Sequence, residues 1–278
     1  MPVLETPALP KIQLPGLHLY HFGMSNCSQR VRILLEEKRL AWTGHPIDLS
    51  RDEHATPQYL AINPRGLVPA LVHDGRVVIE SLDIMEYLEI NFPATSFRPA
   101  TDHVGVADEV CTLAAQVQPA LKLLSHEFLF KPVRRMSAKQ LEAFARNHSD
   151  PHLVAFMRDF SSREGFQRAR ISGSVIEMDR AFARLEQILG TRQWLAGERF
   201  SIADIAWMPN LRRMELMRFP LAARPALRGW LERIKVRPSY RRALAGYEPA
   251  WLRYGMGTYT FLRALRGTGV TAFAEARP

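Results

Sequence analysis

Strand-forming patterns in this chain stop at Pro93, and that boundary limits what it can fold into. From Leu17 to Phe92, extended and helical segments alternate. Leu17 to Phe22 alternates apolar and polar residues and is ended by Gly23. Ser25 then opens a helical segment whose Val31, Leu34 and Leu35 share one face. A short strand is expected near His45–Leu49. Leu67–His73 and Arg76–Ile79 read as a hairpin, because Asp74-Gly75 reaches positive φ cheaply. A helix from about Ser81 to Glu89 follows, with Ile84, Tyr87 and Leu88 facing inward. This order places a small mixed sheet against helices.

Beyond Pro93 the pattern is helical, over about 104–130, 137–147, 165–190, 201–219 and 224–244. In the third of these Ile171, Val175, Met178, Phe182, Leu185 and Leu189 step by three or four. The expected organisation is a flexible arm at 1–16, an α/β domain at 17–92, a linker at 93–102, an all-α domain at 103–244 and a tail at 245–278. The arm carries four prolines. The tail keeps Trp251, Tyr254, Tyr259 and Phe261 and is expected to fold back over the protein.

With 47% hydrophobic residues in 278, the chain can bury sizeable cores. A mean hydropathy of −0.15 and the lack of a long apolar run argue against a membrane-spanning helix. Two cysteines, Cys27 and Cys111, cannot build a disulfide framework or a four-cysteine zinc site, which suits a reducing compartment, most simply the cytoplasm. The nine histidines show no close ligand spacing, so no metal is expected. The net charge of +9 raises nucleic acid as a partner. The arginines, however, are spread over many segments without a recognition motif, and attraction to anionic small molecules explains them more simply.

Three places carry residues suited to chemistry. In Asn63-Pro64-Arg65-Gly66-Leu67-Val68-Pro69-Ala70-Leu71, Pro69 marks a strand entry where the Val68–Pro69 bond is expected to be cis. That turn would leave the Val68 backbone able to pair with a peptide-like ligand; the plainer reading is a strand start. Glu80-Ser81 sits at a strand-to-helix junction. Ser81 is expected to cap the helix beside amides that suit a carboxylate, and Glu80 suits an ammonium. Ser25-Asn26-Cys27-Ser28 opens the first helix at the positive end of its dipole. A hydrogen bond to a charge adds about 1.5–3 kcal/mol to that, enough to lower a nearby thiol pKa by roughly one to three units. Cys27 could be such a thiol, or a small residue packed on the inner side of the helix.

These motifs resemble the cytosolic glutathione transferases over nearly the whole folded chain. The wording S-x-C-S-x-R-V-R at Ser25–Arg32 is close to the zeta class, the run from Asn63 to Glu89 matches the family's glutathione-binding half, and Ser201-Ile202-Ala203-Asp204 matches its helical capping box. The capping physics stands independently: Ser201 caps, Asp204 reaches back, and Phe200 is placed to staple onto Ile205.

The resemblance implies a thioredoxin-like first domain and an all-α second domain, with glutathione as cosubstrate and a homodimer. It implies that Val68, with Pro69 cis, pairs with the cysteinyl backbone of glutathione, and that Glu80 and Ser81 hold its γ-glutamyl end. Ser25 occupies the place of the activating hydroxyl and Cys27 that of the zeta-class cysteine. Asn26 stands where a second serine is usual, so the activator is sought among these three. For the glycine carboxylate the candidates are Arg51, His54, Gln58 and Arg65. Within the family, the phrase I-N-P-R-G-x-V-P-A-L-x-H-D-G-x-V-V-x-E-S most resembles bacterial glutathione-dependent β-etherases, in which thiolate displaces a phenolate from carbon. The acceptor pocket is then expected between the Met24–Ser25 loop and the second domain's first helices, lined by Met24, Val117, Leu121, Leu124 and Phe128 and by aromatics of the tail. A non-catalytic ligand-binding protein of the same fold and a zeta-like isomerase or dehalogenase are the alternatives.

Overall fold

The structure, a computed structural model, describes residues 14–148 and 150–274, with the side chains of Arg253 and Tyr254 left aside. Most of the expected arm at 1–16 lies outside the described residues. Contacts divide the chain into two compact units. The first takes in residues up to 111 with 194–209 and 232–248; the second takes in 112–193, 210–231 and the chain from 249 onward.

The first unit is built on four strands, β1 (Leu17–His21), β2 (Thr43–Pro46), β3 (Ala70–His73) and β4 (Arg76–Ile79), in the order β2-β1-β3-β4. β2 runs parallel to β1, after the crossover through helix α1 (Asn26–Glu37). β3 and β4 are antiparallel to their neighbours, and Asp74 and Gly75 both take positive φ in the hairpin, as the sequence predicts. One face of the hairpin packs Ala70, Val72, Val77 and Ile79 with Tyr20 and Ile62. Alternation turns Leu71 and Val78 the other way, and both are buried, as are Val31, Leu34 and Leu35 of α1 and Ile84 and Leu88 of helix α3 (Ser81–Asn91). Helices α1 and α3 are tied by the buried Lys38–Glu89 ion pair at 2.9 Å. Between β2 and β3 lies the short helix α2 (Pro57–Leu60), capped by Thr56.

The helical stretch expected at 104–130 is broken. Helix α4 (Val104–Gln116) ends and α5 (Gln118–Ser125) restarts at Pro119, which has no N–H to continue the ladder. A π-helical turn (His126–Phe130) and α6 (Lys131–Arg134) follow. Helix α7 (Ala138–Asn147) begins with a full capping box between Ser137 and Gln140. Helix α8 (Pro151–Ser161) is absent from the sequence expectation, although Asp150 caps it and Pro151 sits in its first turn. Helix α9 (Arg168–Leu189) buries the six apolar residues read from its period. Helix α10 (Ile202–Leu216) carries Pro209 within it, and α11 (Pro225–Lys235) stops well short of the expected 244. The tail forms α12 (Met256–Leu265); its residues 245–248 belong to the first unit and the rest, from 249, to the second. In the second unit Phe273 meets Phe128 edge-on, and Arg263 pairs with the buried Glu127 at 3.0 Å.

In the π turn, His126 is half-buried by surface yet walled edge-on by Phe130, Phe156 and Phe160, and its Nδ1 donates to the Lys122 carbonyl at 2.8 Å. Burial pushes its pKa down to about 3, so the ring stays neutral while an unfolded histidine would take a proton near 6.5. The unfolded state thus binds more protons below pH 6.5. The neutral ring's contribution is whole above that value and is lost as pH falls toward 3. Relative to His126→Phe, the wild type is expected to lose roughly 2 kcal/mol of stability by pH 5, read as the changing gap between their urea midpoints.

Candidate functional site

The strand registers gather the singled-out residues of the first unit at one end of its sheet. Tyr20 near the end of β1 faces Ala70 at the start of β3, and Ala70 faces Ile79 at the end of β4. His21 faces Pro46 at the end of β2, and the Ile47 amide donates to the His21 carbonyl at 2.8 Å. Hence the β1–α1 turn with Ser25, the segment from 47 to 66 with His54 and Arg65, the Val68–Pro69 entry and the Glu80–Ser81 junction all project from the same end of the sheet.

Ser25 is the N-cap of α1, with extended backbone and its Oγ accepting from the Ser28 amide at 3.2 Å. A hydroxyl has one proton to donate, so Ser25 can accept from the helix and still donate to an anion. Asn26 is buried and Cys27 half-buried on the first turn. The second cysteine, Cys111, is a different case: burial pushes its pKa up to about 12, which keeps it an unreactive thiol.

The Val68–Pro69 bond is cis, as expected, and Pro69 is buried while Val68 is partly exposed. The carbonyl before it is firmly held. Leu67 O accepts from Tyr59 Oη at 2.5 Å and from Asn63 Nδ2 at 2.6 Å. Burial raises the Tyr59 pKa, so the phenol remains a donor. Tyr59→Phe is therefore expected to cost about 0.5–1.5 kcal/mol in urea unfolding. Gly66 is required where it stands: its φ is +61°, and a Cβ there would lie 3.1 Å from the His54 carbonyl oxygen. His54 itself is buried, and Arg65 is exposed.

One expectation at the β4–α3 junction, the Ser81 cap, is corrected. The N-cap position of α3 is held by Glu80, at φ 64° and with no side-chain cap bond, while Ser81 is the first helical residue. The Glu80 side chain is exposed and meets Arg65 Nη1 at 2.5 Å. The Ser81 hydroxyl accepts from the buried Arg30 Nη1 at 3.4 Å, a partner drawn from α1 rather than from its own helix. The Glu80–Arg65 pair is exposed and so is worth little by itself, about 0–1 kcal/mol.

The residues expected to line an acceptor pocket are buried. Met24 belongs to the first unit; Val117, Leu121, Leu124 and Phe128 belong to the second. The capping box at α10 is formed as read: Ser201 Oγ accepts from the Ala203 amide at 3.3 Å and Asp204 Oδ2 from the Ser201 amide at 2.9 Å. Phe200 meets Phe97 and Trp194 edge-on. Sequence reading missed the buried Arg30 and Arg32, whose only sequence signal is their place on the inner side of α1.

A family model for the glutathione S-transferase N-terminal domain matches residues 24–90, and one for the glutathione S-transferase C-terminal domain matches residues 167–233. The maleylacetoacetate isomerase of Pseudomonas aeruginosa is 30% identical over 237 residues, which span 84% of this chain and 98% of that one. Among solved structures, the beta-etherase LigF of Sphingobium sp. strain SYK-6 matches with a TM-score of 0.74 at 30% identity, over 82% of this chain and 98% of its own. Glutathione transferase F7 of Populus trichocarpa matches with a TM-score of 0.64 at 25% identity, over 84% and 100%.

Proposed function

The chain belongs to the glutathione S-transferase family, and from that premise we propose that it ionises glutathione and directs the thiolate at an aromatic electrophile, a β-aryl ether foremost. The observation that carries this is the meeting, at one end of the sheet, of a helix-capping hydroxyl, a cis-proline strand entry and an acidic helix start. Each suits one part of the tripeptide. The Val68 backbone would pair with the cysteinyl unit, and the α3 start would take the γ-glutamyl carboxylate. The ligand's ammonium would share Glu80 with Arg65, an exposed pair that is cheap to loosen. His54 is the proposed neighbour of the glycine carboxylate.

The sulfur would then lie at the start of α1, where the Ser25 hydroxyl donates to it and the helix dipole favours its charge. The thiol proton leaves to solvent. The thiolate attacks the carbon bearing the aryl ether, so that a C–S bond forms as the C–O bond breaks. The phenolate departs with the electron pair and takes a proton from water. Likeness to the beta-etherase LigF favours the ether over other electrophiles. We further propose a homodimer in the cytoplasm.

The deciding experiment is a glutathione-consumption screen of β-aryl ethers against aryl halides and maleyl compounds, run beside calorimetry with glutathione. Phenol release from an ether, outpacing the halides and maleyl compounds, is the expected result. Faster turnover of halides or maleyl compounds moves the substrate assignment, and binding without any turnover selects a non-catalytic ligand carrier.

A further inference from the structure

Arg32 is wholly buried in α1, and a guanidinium at that depth is costly unless its donors are met. Its partners come from two distant parts of the first unit. Nη1 donates to the Phe22 carbonyl at 3.2 Å and Nη2 to the Gly23 carbonyl at 2.7 Å. Nε donates to the Ala243 carbonyl at 3.0 Å, 211 residues along the chain. The Tyr247 ring covers the guanidinium, with its centroid 3.9 Å from Cζ. His21 completes the set: Nδ1 lies 3.2 Å from Arg32 Nη1, and its ring meets Tyr247 edge-on. Burial, and then Arg32, push the His21 pKa down to about 4, so that nitrogen is an acceptor.

The carbonyls that Arg32 holds belong to the turn that delivers Ser25. The Phe22 oxygen receives both Arg32 Nη1 and the Ser25 amide, the latter at 3.1 Å. The Phe22 amide donates to Ser28 Oγ at 3.3 Å, which closes the turn onto the helix it starts. Tyr247 backs the turn so closely that a Cβ on Gly23 would sit 3.4 Å from its carbonyl oxygen. A loop of this kind is by default the least stable part of a site, whereas a hydrogen bond to a thiolate needs placement within about 0.5 Å.

We propose that Arg32, anchored on Ala243 and covered by Tyr247, is a positioning residue that fixes the Ser25 hydroxyl for the glutathione sulfur. The segment 240–247 thereby acts as a brace for the catalytic turn. This rests on the thiolate reading above. The planar fork is essential to it, because three separate nitrogens, Nε, Nη1 and Nη2, reach the Ala243, Phe22 and Gly23 oxygens in fixed directions, whereas an ammonium offers its three donors from one atom.

The test compares Arg32→Lys, Arg32→Met and Tyr247→Leu with wild type by the absorbance of bound glutathione thiolate across pH, with circular dichroism to establish folding. In Arg32→Lys and Arg32→Met the apparent thiol pKa is expected to rise by about one unit, a tenfold loss of thiolate fraction below it. Lysine is expected not to rescue, although it restores the charge. Tyr247→Leu removes a half-exposed ring and leaves the guanidinium its oxygens; its thiol pKa is expected to rise by less, and it carries the test alone if the Arg32 variants do not fold. An unchanged thiol pKa in the folded variants, or full rescue by lysine, overturns the proposal while the thiolate reading stands. Absence of a thiolate band in the wild type overturns both.

Discussion

Asp204→Ala is expected to lower the free energy of unfolding by about 3–5 kcal/mol. Asp204 is fully buried. Its Oδ2 accepts from the Ser201 amide at 2.9 Å and the Ser201 hydroxyl at 3.1 Å, and its Oδ1 from the Leu195 amide at 3.0 Å. One carboxylate thus closes the start of α10 and pins the turn at 194–197 to it, where Trp194 and Gly197 already bridge. Alanine leaves the Leu195 and Ser201 amides buried without their acceptor. Each unmade bond to a charge costs about 1.5–3 kcal/mol, and loss of the cap interaction falls within the same sum. Asp204→Asn keeps the shape and one acceptor oxygen, so it is expected to lose about half as much. Guanidinium unfolding followed by circular dichroism measures both; a loss under about 1 kcal/mol for alanine would show that water takes over the carboxylate's bonds.

What the sequence made legible is what its neighbours along the chain decide. Alternation at 17–22, the Asp74-Gly75 turn, the Ser25 cap and the Ser201–Asp204 box are all settled within a few residues, and each formed where expected. The Val68–Pro69 entry was legible for the same reason. Ser81 shows where local reading fails. As a serine after a strand it has every mark of a cap, yet Glu80 takes the cap position with positive φ and Arg30 takes up the hydroxyl. Helix α8 was missed because two stop-like residues, Asp150 and Pro151, open it rather than end something. Arg30 and Arg32 are the clearest case. On a helix of mixed pattern they look like solvated charges, and only carbonyls arriving from Ala206 and Ala243, 176 and 211 residues away, turn them into buried structural donors.

Replacement of Ser25 is expected to give the largest kinetic effect, a fall in kcat/KM of about 10²–10³, by analogy with loss of one donor to a developing anion. Alanine at this position confounds two roles, since the Ser25 hydroxyl also caps α1 through the Ser28 amide at 3.2 Å. Loss of a cap costs about 1 kcal/mol of stability by itself. Ser25→Gly separates them, because glycine at an N-cap gives up only a few tenths of a kcal/mol while it removes the donor entirely. If the hydroxyl stabilises the thiolate, both variants lose activity alike and both raise the apparent thiol pKa of bound glutathione. If capping is what matters, the glycine variant stays near wild type and only alanine falls. The sign with pH follows from the chemistry. A free thiol ionises near 8.5, so the deficit is deepest below that and shrinks above it, where thiolate forms without help. Cys27→Ala is expected to stay within about threefold throughout, because the half-buried thiol lies past the cap on the helix's first turn. A hundredfold loss on Cys27→Ala with Ser25→Gly fully active would transfer the activating role from the hydroxyl to the thiol.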